Sequence, residues 1–305
     1  MSREQGELRA ILFVLIAITI WSGWMSATRI AATSGVASID IAALRYGVPA
    51  IMLAPVLKTT FQKMRHAPLW SLIAMFGWGL PFVWLLATAL ESANVVHLAT
   101  IVFCTMPVFA VAGERLIFGT RLDPKRVPGF LLIGMAALIV ILNALIGDGG
   151  ADPKSVMLML LASAGWASYT VAFKHTGFSP LEGPAYVCAV STLVLLVIKA
   201  LSSGPWLPLS WSQLVFNGIA QGVLSGFFAT ILYTMAIARL GSARTASFSV
   251  LMPIVGTTIA FFWLEEMPSA VDMVALALGT LGVAIVNDAL RFPVPSASIY
   301  KQEER

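Results

Sequence analysis

Apolar stretches of about the length of a bilayer crossing recur ten times in this chain, near 10–31, 38–58, 68–90, 94–117, 126–146, 154–174, 184–201, 212–238, 244–264 and 270–290. An α-helix rises about 1.5 Å per residue, so about twenty residues cover a hydrocarbon core of about 30 Å. The pattern restricts the chain to membrane-spanning helices. Composition agrees, with 58% of the 305 residues hydrophobic and 11% charged, where a soluble domain carries roughly a quarter charged residues. The lipid bilayer is therefore the first expected partner. The run from Ala10, preceded by Arg3 and Arg9, imitates a signal peptide but is too long for one and has a counterpart later in the chain.

The stretch Gly147-Asp148-Gly149-Gly150-Ala151-Asp152-Pro153 is the most polar, turn-rich break between the ends, and it divides the chain near its middle. Sliding one half over the other brings Trp21-Ser22-Gly23-Trp24 with Arg29 onto Trp166-Ala167-Ser168-Tyr169 with Lys174. Thr88 then faces Thr234, and Met106-Pro107 faces Met252-Pro253. The expected organisation is two repeats, residues 1–150 and 151–305, each of five helices. Because five is odd, the second copy enters the membrane from the opposite side, so the repeats are inverted. The fold class expected is an all-α integral membrane protein of ten transmembrane helices.

Lys and Arg collect in cytoplasmic loops. With the N-terminus inside, Arg3, Arg9, Lys58, Lys63, Arg65, Arg115, Arg121, Lys125, Arg126, Lys174, Arg239, Arg244, Arg291, Lys301 and Arg305 lie inside, while Arg29, Lys154 and Lys199 lie outside. Both termini are therefore expected in the cytoplasm. The net charge of +4 is accounted for by these loops. It forms no aromatic-basic stripe of the kind that holds single strands, so no nucleic acid partner is expected. Cys104 and Cys188 sit inside apolar runs without a CxxC or His/Cys cluster, so neither a metal nor another cofactor is expected.

In this arrangement the chain resembles the EamA-type transporters of the drug/metabolite transporter superfamily over about residues 10 to 290. The resemblance rests on Trp21 and Trp166, on the Ala-Leu-Arg-Tyr run containing Arg45, and on the mid-helix Pro107 and Pro253. Leu264-Glu265 and the glycine-rich last run with Gly279 and Gly282 complete it. Two positions depart from it: Gly119 stands where the first repeat would match Glu265, and Val190 stands roughly where the second would match Arg45. The resemblance implies a transporter, most often an exporter, of amino acids or other small metabolites, with its cavity between helices of both repeats. A bacterial cytoplasmic membrane is the expected location.

Residues that interrupt or charge a membrane helix are the candidates for function. The third run contains Gly77-Trp78-Gly79-Leu80-Pro81, and the eighth contains Gly222 and Gly226; these either line a cavity or let helices pack closely. Pro107 and Pro253 are candidate hinges. Asn217, Gln221 and Ser225 fall on one helical stripe, as do Thr245, Ser249 and Thr257 around Pro253, and they either line a polar path or bond between helices. His97 is the histidine within an expected span, where it could bind substrate or relay a proton.

Arg45 lies about 10 Å inside the outer end of its run and calls for a partner. Asp40 and Glu91 at that surface are the expected ones, and a substrate carboxylate is the alternative. Trp21, Trp24, Trp78, Trp84, Trp166 and Tyr169 lie away from run ends and could form an aromatic wall, whereas Trp70, Trp206 and Trp211 suit interfacial belts.

A secondary exporter of small neutral or zwitterionic metabolites, working by alternating access, is the expected function. Organic cations or drugs are an alternative substrate class, and a channel or sensor an alternative to a carrier. No nucleotide-binding Gly-Lys-Ser/Thr loop and no paired catalytic groups at depth are visible, so no enzyme is expected. A small-molecule substrate and a second copy of the chain in a homodimer are the remaining expected partners.

Overall fold

The computed structural model describes residues 3–90, 95–146, 152–202, 207–264 and 269–286. Among them every regular element is helical and no strand occurs. The helices are α1 (Arg3–Thr33), α2 (Ser38–Met52), α3 (Ala54–Met64), α4 (Leu69–Phe76), α5 (Leu80–Leu90), α6 (Val95–Phe118) and α7 (Val127–Ile146). After them come α8 (Pro153–Ala172), α9 (Glu182–Leu201) and α10 (Trp211–Asn217), which runs through a π-helix (Gly218–Ala229) into α11 (Thr230–Leu240). The last are α12 (Ser242–Ser247), a 3-10 turn (Phe248–Val250), α13 (Leu251–Leu264) and α14 (Ala270–Val286).

Seven helical stretches among the described residues are long and apolar enough to cross a membrane, beginning at Glu4, Leu69, Ile101, Pro153, Glu182, Trp211 and Ser242. The helices Val127–Asn143 and Ala270–Val286 are apolar but shorter. The second apolar run, expected as one helix over 38–58, is instead broken: α2 and α3 meet at 90°. Pro55 supplies the physical reason. It has no N–H to continue the ladder from Ile51, and its ring displaces the preceding turn, so the chain turns at Leu53 and restarts with the proline in the first turn of α3.

The third run is also interrupted, between α4 and α5, at Gly77-Trp78-Gly79. Lipid offers no hydrogen bonds to the groups such a break frees, and three other helices supply them. Tyr46 Oη of α2 donates to the Gly79 carbonyl at 2.7 Å and lies 3.3 Å from that of Trp78. Ser191 Oγ of α9 accepts from Leu80 N–H at 3.0 Å, and Ser168 Oγ of α8 donates to the Ala74 carbonyl at 2.8 Å.

The helices of the two sequence halves interleave. The first helix, α1, packs against the π-helix, α11 and α13, while α8, its counterpart after the midpoint, packs against α4, α5 and α6. The long α7–α14 contact is made possible by glycine. A Cβ on Gly129 would come within 2.6 Å of the Gly282 carbonyl oxygen, and a Cβ on Gly282 equally close to that of Gly129. Each helix thus leans on the other's backbone, an approach only small residues allow. Gly134, by contrast, has open space where its Cβ would go. Gly282→Val should therefore lower thermal stability in detergent by about 1–3 kcal/mol, the usual cost of overpacking. Gly134→Val should leave it nearly unchanged, and equal losses would show that the crossing is not the constraint.

Candidate substrate site at the centre of the bundle

At the centre, aromatic rings from both halves form one cluster. Trp21 of α1 meets Trp78 at 5.5 Å and Trp166 of α8 at 5.4 Å, both edge to face. Trp78 also lies 4.6 Å from Tyr169, and Tyr233 of α11 closes the group at 5.1 Å from Trp21 and 5.6 Å from Trp166. All five rings are buried, and edge-to-face contacts of this kind add to the stabilisation from burial alone. Trp21 and Trp166, which occupy corresponding places in the two halves, therefore touch directly. The Trp166 indole N–H has no hydrogen-bond partner among the described residues, and the Trp21 and Phe103 rings both stand edge to face with the indole at 5.4 Å.

The expected Asn217, Gln221 and Ser225 stripe is buried throughout, and Gln221 and Ser225 lie on the π-helix. Gln221 Oε1 accepts from the Trp24 indole N–H, and its amide donates to Thr28 at 3.1 Å. The Ser225 carbonyl accepts from Trp21 Nε1 at 3.1 Å and from Thr230 Oγ1 at 3.2 Å. The glycines of the same element seat α2. Cβ atoms at Gly222 would strike Val48 and the Leu44 carbonyl, and at Gly226 the Arg45 carbonyl and Pro49. Backbone of α2 therefore lies directly on the widened helix. π-helical segments are uncommon and recur at functional sites.

This seat fixes Arg45. Its side chain is 4% exposed, its Nη1 donates to Ser225 Oγ, and the guanidinium carbon stands 4.1 Å from the centroid of the Trp24 ring. The expected pairing with Asp40 is not made, for Asp40 is engaged by Lys199 of α9 at 2.8 Å. The reason is direction: Arg45 is five residues along α2 from Asp40, which turns it towards the π-helix while Asp40 faces α9. Glu91, the other expected partner, lies outside the described residues.

The prolines are tied into the same core. Pro107 cannot donate to the Phe103 carbonyl, and Ser249 Oγ fills that place from the other half at 2.8 Å. Pro253 follows a tightened 3-10 turn, and the neighbouring Met252 carbonyl accepts from Ser22 Oγ at 3.3 Å. Pro81 stands in the first turn of α5, just after the break described above. Thr245 and Thr257 are buried beside these elements.

Some expectations are not gathered here. Trp84 is 71% exposed and belongs to the outer surface, not to the aromatic wall. The side chain of His97 lies outside the described residues, as do Trp206 and Glu265. Trp70 and Trp211 are exposed near the starts of α4 and α10. Tyr46 and Tyr233 went unselected by the sequence reading, although Tyr46 adjoins Arg45 and Tyr233 adjoins the matched Thr234.

A model of the EamA-like transporter family matches residues 8–142 and, a second time, residues 153–288. The chain belongs to the EamA-like transporter family. It is a multi-pass membrane transporter, as the order of its motifs implied. A relative from Streptantibioticus cattleyicolor, named "Probable terminal-alkyne amino-acid exporter", is 24% identical over 295 residues, covering 92% of this chain and 93% of the relative. A solved crystal structure, 20% identical, superposes with a TM-score of 0.64 over 92% of this chain and 96% of its own, and so shares the fold.

Tyr46→Phe removes the hydroxyl that satisfies the Gly79 carbonyl while keeping the ring. The expected loss of stability is about 1–3 kcal/mol, the cost of stranding a buried acceptor, read as a lowered thermal midpoint. An unchanged midpoint would mean that the break is satisfied by other means.

Proposed function

We propose that this EamA-like transporter exports small neutral or zwitterionic metabolites, amino acids in particular, across a bacterial cytoplasmic membrane by alternating access. It does so through ten crossings arranged as two inverted five-helix halves, with both termini in the cytoplasm. The name of the Streptantibioticus relative supports the substrate class, and the exchanged partners of α1 and α8 support a two-fold relation between the halves.

One observation carries the mechanism. At the N-terminal end of α9, Glu182 pairs with Lys63 of α3 at 2.7 Å. At its C-terminal end, Lys199 pairs with Asp40 of α2 at 2.8 Å. Seventeen residues of helix separate the two, about 26 Å at helical rise, close to the thickness of the hydrocarbon core. In both pairs an acid in the first turn of one helix meets a lysine in the last turn of another, which also suits the helix dipoles. An inverted duplication builds such a device once at each face. With both pairs formed, the space beside Arg45 is only about 10 Å³. A carrier of this design releases one pair at a time.

The two pairs differ in strength. Asp40 and Lys199 have side chains only 2% and 9% exposed, so removing one partner costs about 3 kcal/mol or more. Lys63 is 47% exposed, and screening holds its contribution to at most about 1 kcal/mol.

Cys188 borders the space beside Arg45 and serves as a native reporter once Cys104 is replaced by Ala. Lys199→Gln should increase its labelling by an impermeant maleimide from the outer face, and Lys63→Gln, more weakly, from the inner face. Equal changes from one face would overturn the paired-latch mechanism. In proteoliposomes, saturable counterflow of an amino acid is expected, whereas ion conductance without exchange would refute the carrier reading.

A further inference from the structure

We propose that Arg45 is the anchor for a carboxylate on the transported molecule, held where α2 lies on the π-helix, with Ser225 and Trp24 orienting the guanidinium. This assignment rests on the carrier reading above and narrows its substrate to molecules bearing a single carboxylate.

The argument begins with charge. A guanidinium at membrane depth is costly unless an anion or water meets it. The buried acids among the described residues are Asp40, Glu182 and Asp272, and all three are engaged elsewhere. Asp40 holds Lys199, Glu182 holds Lys63, and Asp272 accepts from Ser269 at 2.8 Å and Asn143 at 3.4 Å. No carboxylate among the described residues pairs with Arg45. Its side-chain neighbours are the Ser225 hydroxyl, the Trp24 ring and the Tyr46 hydroxyl, all neutral.

Geometry agrees. A guanidinium presents five N–H donors in a planar fork that matches a carboxylate. Here the ring of Trp24 covers one face and Ser225 fixes one nitrogen, so the group is oriented rather than mobile. The small space beside it is lined by Tyr46, Trp78, Val187, Cys188 and Thr230. Its volume of about 10 Å³ is that of roughly one water in a closed state. Trp78 belongs both to this wall and to the aromatic cluster. An ammonium group a few ångströms from the carboxylate would therefore meet ring faces, which attract cations. Two walls are built to yield: Trp78 stands in the break between α4 and α5, and Gly226 lies in the π-helix.

The same charge rejects other classes. A permanent cation without an acidic group meets an uncompensated positive charge in a low-dielectric core. A phosphate ester calls for more basic groups than the single buried arginine among the described residues supplies.

Counterflow of each of the twenty common L-amino acids and of L-propargylglycine is measured in proteoliposomes. For any that exchange, competition by the matching amino-acid amide and decarboxylated amine follows. The acid should compete and both analogues should fail. Arg45→Gln should raise KM for the acid by about thirtyfold or more, and Arg45→Lys, which keeps charge without the fork, by less. Ser225→Ala, a milder change with the arginine retained, should raise KM severalfold and decides the question if Arg45→Gln does not fold. Exchange of amino acids with equal competition by the amides, or with KM unaltered in the variants, would overturn the anchor and leave the carrier reading standing. Exchange of tetraphenylphosphonium but of no amino acid would overturn the anchor together with the proposed substrate class.

Discussion

A membrane helix that breaks must find hydrogen-bond partners for the backbone it frees, because lipid supplies none. Much of the polar chemistry in this core follows from that demand. The interruption between α4 and α5 is met by Tyr46, Ser191 and Ser168, which come from α2, α9 and α8. The carbonyl vacated by Pro107 is met by Ser249. Three of these four hydroxyls come from the other sequence half. The breaks therefore bind the halves together, and the first half is incomplete without the second.

That stitching determines what can move. Because α1 packs among α11, α13 and the π-helix, and α8 among α4, α5 and α6, the rigid groups of helices do not coincide with the halves of the sequence. Glycine contacts mark where backbone touches backbone: Gly129 on Gly282, Gly165 on Gly77, and Gly222 and Gly226 on α2. Such contacts have no side-chain bulk to deform, so they suit sliding more than compression. The ion pairs at the two ends of α9 then lie where such sliding would be felt most.

The sequence showed apolar helices, the interruption at Gly77-Trp78-Gly79 and the duplication because each leaves a one-dimensional mark: a run of apolar residues, a Gly-x-Gly-x-Pro, a matched pair of prolines. It was weaker on which way a side chain faces. In a soluble protein the lipid-like side of a helix is its buried side, but here both lipid-facing and core-facing positions are apolar, and periodicity loses its contrast. Trp78 and Trp84 look alike as letters, yet six residues put them on different faces, one in the core and the other 71% exposed. The choice of Lys199 over Arg45 as the partner of Asp40 depends on the approach of α9, and sequence separation cannot convey it. The 90° turn after Met52 was masked by hydropathy, which registers composition and is blind to direction.

The duplication is also most informative where it fails. Val190 stands roughly where a second Arg45 would be, so α9 brings no matching charge. It contributes Val187 and Cys188 to the lining of the space beside the guanidinium. A symmetric pair of arginines would repel one another at this depth and would suit a dianion. One arginine in a lining that also holds Trp78 and Val187 gives the proposed site both a charged and an apolar part. An amino acid has that polarity, with its carboxylate at one pole and its side chain at the other. The chain is duplicated, as the two matches of the family model show, and the proposed site departs from that duplication because the proposed cargo has a head and a tail.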